Sequence, residues 1–194
     1  MKKVTNSINV LLCVCITLSG CTGARMSVDP SPDLLQKEFP QKFASVSVKE
    51  MTPTKVYPPA GWLTQDFARE IESSGFSYNV YFPSRPDDKS DAVLETTFDV
   101  SMDPHMWKLL VKSFFIGLTF FILEPVFWYD FDYSFNGKVD VVQGDSRLPV
   151  EARTKASISM KWLSLGQAHQ IESDAMRDSK QSLFRQLLDK IGKQ

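Results

Sequence analysis

Phe131-Asp132-Tyr133-Ser134-Phe135-Asn136-Gly137-Lys138-Val139-Asp140-Val141 and, past Gly144-Asp145-Ser146, the run Leu148 to Trp162 decide how this chain folds. In the first run Phe131, Tyr133, Phe135, Gly137, Val139 and Val141 alternate with Asp130, Asp132, Ser134, Asn136, Lys138 and Asp140. The second run resumes the period, with Leu148, Val150, Ala152, Ala156, Ile158, Met160 and Trp162 on one side. Glu151, Arg153, Lys155, Ser157, Ser159 and Lys161 lie on the other. A strand turns successive side chains to opposite faces, so two such runs around a Gly-Asp turn predict an antiparallel hairpin with one face buried and one wet.

Upstream, Phe43 to Val48 reads as a first strand, Ser77 to Phe82 as a second and Ala92 to Val100 as a third, with Leu94, Phe98 and Val100 on one face. Trp62-Leu63, Phe67 and Ile71 recur at helical spacing, with Asp66, Arg69, Glu70 and Glu72 mostly opposite. Ser73-Ser74-Gly75 ends that helix, Gly75 being suited to a left-handed cap. A last helix carries Met176, Leu183, Phe184, Leu187, Leu188 and Ile191 on one stripe. The expected fold is α+β: a mainly antiparallel sheet of about five strands, two helices on one face, and an apolar hairpin inserted between strands.

That insertion spans 106–129. Phe114 to Leu123 is uncharged and apolar, Lys108 and Lys112 precede it, and Glu124-Pro125 follows. Trp107 stands at one end and Trp128 at the other, as interfacial anchors do. One continuous helix from Trp107 to Trp128 would rise about 31 Å, close to a hydrocarbon thickness. A spanning helix would put the third strand and the later hairpin on opposite sides of a membrane, where they could not share a sheet. Two readings stay open: a helical hairpin bent near Gly117 that packs on the domain, or a segment that meets lipid or a partner protein. The contact residues for the second are Trp107, Phe114, Phe115, Phe120, Phe121 and Trp128.

At the N-terminus Lys2 and Lys3 precede an apolar run, Val10 to Leu18, of signal-peptide length and too short to cross a bilayer. Leu18-Ser19-Gly20-Cys21 follows. The four residues resemble the lipobox of bacterial lipoproteins. The resemblance implies a diacylglycerol on the Cys21 thiol, cleavage before Cys21, and attachment to a membrane by acyl chains including palmitate. Thr22, in place of an Asp that in enteric bacteria resembles an inner-membrane retention signal, implies the outer membrane, facing the periplasm. Of three cysteines, Cys13 and Cys15 fall in the signal, so the mature chain has no internal disulfide and no Cys-based metal site. From Thr22 to about Lys42 the chain is polar and contains Pro30, Pro32 and Pro40, which reads as a tether able to reach about 70 Å when extended. Residues 1–20 are thus the signal peptide, 21–42 the lipidated N-terminus and tether, and 43–194 a single α+β domain, of a size that supports its own core.

Ser74-Gly75-Phe76 after the first helix and Asp91-Ala92-Val93-Leu94 opening the third strand resemble small α/β domains of envelope lipoproteins, the TolB N-terminal type and export-auxiliary lipoproteins. That resemblance implies a scaffold or assembly role and no chemistry.

The chain carries a net charge of −1, and removing Lys2 and Lys3 takes it to about −3, with no basic stripe. Nucleic acid is not an expected partner. His105 and His169 form no pair at ligand spacing, no Gly-x-Ser-x-Gly occurs, and the glycines form no phosphate loop. Asp130 and Asp132, two apart on a strand, read as part of its solvated face. No catalytic residue, metal or cofactor is expected. The expected function is a non-enzymatic, lipid-anchored envelope protein that binds an envelope partner or supports an assembly. A lipid-interacting protein using 113–129 is the alternative, and a hydrolase ranks last.

Overall fold

The structure is a computed structural model that describes residues 23–51, 60–118, 127–161 and 167–194. The signal peptide, Cys21, Phe120, Phe121, Pro125 and Trp162 lie outside the described residues. Six strands, β1 (Ala24–Asp29), β2 (Phe43–Glu50), β3 (Ser77–Tyr81), β4 (Ala92–Asp103), β5 (Trp128–Gln143) and β6 (Ser146–Lys161), form one open sheet in the order β1-β6-β5-β4-β2-β3. Three α-helices are described: α1 (Ala60–Ser73), α2 (Met106–Leu118) and α3 (Ala168–Gly192).

The α+β class stands, with corrections. The sheet is mixed and has six strands where about five, mainly antiparallel, are expected. β2 runs parallel to β3, with Phe43 opposite Ser77 and Val46 opposite Val80. It also runs parallel to β4, with Val46 opposite Ala92 and Val48 opposite Leu94. The helix between β2 and β3 is the cause: a crossover of that length returns the chain in the same direction, which a tight turn cannot do. β5 and β6 are sheet neighbours joined by two residues, a connection that fits only antiparallel strands. Gly144, first of the two, takes φ 57°, the place a type II′ turn gives to glycine.

The added strand is β1, within the expected tether. It is almost wholly exposed along its length, so it carries no apolar period. Backbone hydrogen bonding, such as Lys161 N–H to the Gly23 carbonyl at 2.9 Å, holds the chain there instead. The prolines beyond it lose only donors: the Pro30 carbonyl accepts from the Ser182 hydroxyl at 2.6 Å, and the Pro32 carbonyl from Arg185 at 2.9 Å. Phe39 is buried, whereas Leu34 stays exposed.

By its contacts the chain divides into two compact units, Met1–Ser27 with Asp103–Asp132 and Ser157–Ala175, and Val28–Met102 with Tyr133–Ala156 and Met176–Gln194. In the second unit α1 and α3 cover one face of the sheet. Phe98 of β4 meets both Phe67 of α1 and Phe184 of α3, with ring centroids 5.7 and 5.6 Å away. Three α-helices are thus described where two helices and an inserted hairpin are expected, and α1 and α3 are the two that share one face. Gly137 makes room for this packing, since a Cβ there would lie 3.1 Å from both Leu187 and the Phe98 ring. The end of α1 is a Schellman cap: Phe76 N–H reaches Ile71 O, Gly75 N–H reaches Glu72 O, and Gly75 takes φ 75°. Asp91 accepts from the N–H groups of Ala44 and Ser45 at 2.9 and 3.0 Å, pinning the start of β4 to β2.

The hairpin alternation holds over most of its length: Val139 and Ile158 are buried, and Thr154 fills the gap in the apolar series. It is lost at the start of β5, where 128–132 are all half-buried, and it fails at two positions near the turn. Leu148, beside the turn, is exposed. Asp140, read as wet, is largely covered, because Arg147 lies against it at 2.8 Å and also pairs with Glu95 at 2.6 Å.

Candidate functional site

The first unit is where the chain departs from ordinary packing. Helix α2 begins at His105, whose carbonyl accepts from Leu109 N–H at 3.1 Å. His105 takes φ 48°, a left-handed conformation uncommon for a residue with a Cβ. Two contacts hold it there. Its N–H donates to Asp103 Oδ1 at 2.8 Å, and its ring Nε2 lies 2.9 Å from Asp132 Oδ2.

At 3.6 residues per turn, His105, Leu109, Lys112 and Ile116 fall on one side of α2. These are its less exposed positions, and Ile116 is the buried one. The opposite arc, about 140° wide, is made only of Trp107, Leu110, Val111, Phe114, Phe115 and Leu118. All six are exposed, Trp107 at 77%, Phe114 at 64% and Leu118 at 61%. A helix ordinarily turns its apolar arc to a core. Here that arc points away from the protein, and the covered side holds a lysine and a histidine.

Those two polar side chains anchor α2 to the start of β5. Lys112 Nζ donates to the Trp128 carbonyl and lies 3.3 Å from Asp130 Oδ2. Asp130 Oδ1 accepts from the Ser159 hydroxyl of β6 at 2.7 Å. Burial alone would raise the Asp130 pKa. The Ser159 hydrogen bond, the charge and hydrogen bond of Lys112, and the charge of Lys108 outweigh it and hold the carboxyl below its ordinary value. The carboxylate therefore stays ionised opposite Lys112 at neutral pH.

Beside this ion pair the Trp128 ring lies under two cations, with Arg25 Cζ 4.9 Å and Lys161 Nζ 5.4 Å from its centroid. Gly23 fits against the same ring; a Cβ there would meet Trp128 Cη2 at 3.2 Å.

Of the contact residues expected from sequence, Trp107, Phe114 and Phe115 share the outward side of one helix. Trp128 is only partly exposed and sits under Arg25 and Lys161, so it is no free interfacial anchor. α2 runs through Gly117 to Leu118, and the bend expected near Gly117 falls where residues 119–126 lie outside the described residues. Asp130 and Asp132 do share a face, but as partners of Lys112 and His105 rather than as a merely solvated row. The available signal was weak: α2 has two lysines and no acid, so a counter-charge for either comes from another element.

No helix among the described residues is long and apolar enough to cross a membrane. No group of three or more His, Cys, Asp or Glu side chains among them is placed to hold a metal ion.

No protein-family model matches the chain, and no curated protein matches it. Among solved structures, it is similar to the rare lipoprotein B from Shewanella oneidensis. The two are 12% identical, the match covers 76% of this chain and 95% of that one, and the TM-score is 0.41. A leucine-to-methionine variant of the PelC dodecamer from Paraburkholderia phytofirmans is also similar, with 9% identity, 86% and 99% coverage and a TM-score of 0.34. Likenesses this distant carry no functional assignment to this chain.

Proposed function

We propose that this chain is a lipid-anchored protein of the bacterial cell envelope, acylated at Cys21, that acts without catalysis as an accessory or partner-binding component. The lipobox supports the anchor, and Thr22 supports the outer membrane, facing the periplasm. The observation that carries a binding role is the outward arc of α2: six large apolar side chains on one exposed helix face, above a polar anchor that fixes the helix. An exposed apolar surface of this kind is retained where something covers it in use. Trp107, Phe114 and Phe115 are its central contacts. The same arc favours the second reading, a protein that engages lipid through this segment.

The anchor is tested by metabolic labelling. Labelled palmitate should enter the wild-type chain and be absent from Cys21→Ser, which should also escape the lipoprotein peptidase. Palmitate in the Cys21→Ser protein would overturn the lipoprotein reading. Crosslinking in mild detergent, followed by recovery of one envelope protein in fixed proportion, tests the partner role.

A further inference from the structure

We infer that the outward arc of α2 is seated in the lipid interface of the membrane to which Cys21 is attached, so that chain and helix hold that membrane together. The inference rests on the anchor reading above and names the occupant of the exposed arc.

Three observations converge on lipid. The first is length. Cys21 is two residues before Gly23, so its Cα lies within about 7 Å of Gly23 even when the chain is fully extended. A tether of some twenty residues would leave the anchor free to sit far from any surface of the protein. Gly23 instead begins the described chain already fixed, bonded to Lys161 N–H and packed on the Trp128 ring. The second is continuity. The Trp128 carbonyl and Asp130 are the groups that hold Lys112 of α2, so the anchored end of the chain and the exposed arc belong to one unit and share one set of contacts. The third is composition. α2 has Trp, Leu and Phe on one side with its two lysines off the apolar arc, the arrangement of a helix lying in the plane of a membrane interface. The 13 described residues of this helix rise about 20 Å, enough for its six apolar side chains to form one continuous stripe. Lys108 beside the arc and Arg25, two residues after Gly23, are exposed cations, placed to meet lipid phosphates.

The experiment uses the mature, acylated protein in phosphatidylcholine vesicles whose acyl chains are brominated, with unbrominated vesicles as reference. Bromine quenches indole emission only on contact, and Trp107 is the most exposed residue of the arc. Wild-type emission should fall in brominated vesicles, and Trp107→Phe, which keeps an apolar ring at an exposed position, should lose that quenched component. Phe114→Ser with Leu118→Ser, both exposed and so harmless to the fold, should weaken the quenching of Trp107. Equal Trp107 emission in both kinds of vesicle overturns the inference while leaving acylation intact. An unquenched Trp107 that crosslinks to a second copy or to another protein overturns it in favour of a protein occupant. Absence of palmitate on the wild-type chain removes the anchor reading and this inference with it.

Discussion

Helices α1 and α2 each carry an apolar side, and those two sides meet opposite fates. In α1, Leu63, Phe67 and Ile71 are each at most 1% exposed, and charged residues at its flank bridge to α3, Asp66 to Lys180 at 2.7 Å and Glu70 to Arg185 at 3.5 Å. In α2 the apolar arc is outside, and the lysine on the covered side bonds inward to Trp128 and Asp130. Burial of apolar area holds α1, whereas charge-assisted hydrogen bonds hold α2. A helical period therefore states which side is apolar, and the partner offered to that side states whether it becomes core.

The largest expected effect would break this comparison outright if it failed. Phe67→Ala empties a site that Phe98 and Phe184 line, and cores of this kind lose about 3–5 kcal/mol on such a truncation. Phe114→Ser should stay within about 0.5 kcal/mol of wild type, because nothing buried is removed. Thermal melting of the two variants measures both. Similar losses would mean that the arc of α2 is covered within the folded chain after all.

How much of this was legible follows the same physics. The β5–β6 hairpin was, because two-sided alternation over sixteen-residue strands leaves one register that buries Val139 and Ile158 together. So were α1, with its Gly75 cap, and the apolar stripe of α3 around Leu183, Leu187 and Ile191. β1 was not, since an edge strand held by its backbone writes no period into its side chains. The parallel pairing of β2 was missed although a helix lies between β2 and β3, a spacing that already implied a crossover. At the candidate site the contact residues on α2 could be listed from their apolarity, but their exposure could not. The anchoring set, His105, Lys112, Asp130, Asp132 and Ser159, escaped because its members come from three separate stretches of sequence.

A smaller effect sharpens the comparison. Lys112→Met keeps the side-chain stem and removes the charge, leaving Asp130 with the Ser159 hydroxyl and the Lys108 charge. Loss of a charge-assisted bond at a site this covered should cost about 1–2 kcal/mol of local stability. Amide exchange along α2 should then rise about tenfold, while exchange in the core strands stays near wild type. Slowed or unchanged exchange in α2 would show that apolar contact at Ile116 suffices to hold the helix.

The smallest effect is the pH dependence of that attachment, and its sign follows from Asp130. Burial works against its charged form, but Ser159, Lys112 and Lys108 together hold its folded-state pKa below the ordinary aspartate value. A depressed pKa means that the folded chain releases the proton more readily than the unfolded one. The stabilisation is then fully present above the unfolded value and fades as pH falls through the folded one. The Asp130 contribution to the attachment of α2 should accordingly be level from neutral pH to about pH 5 and fade below the usual carboxylate range. Other carboxylates protonate there too, so the informative quantity is the difference between wild type and Asp130→Asn, followed by Trp128 emission or α2 exchange. The variant, neutral at every pH, should be the looser protein at pH 7, and the difference should shrink as wild type is acidified. If it widened instead, Asp130 would be a carboxylate tolerated beside Lys112 rather than one that helps to hold it.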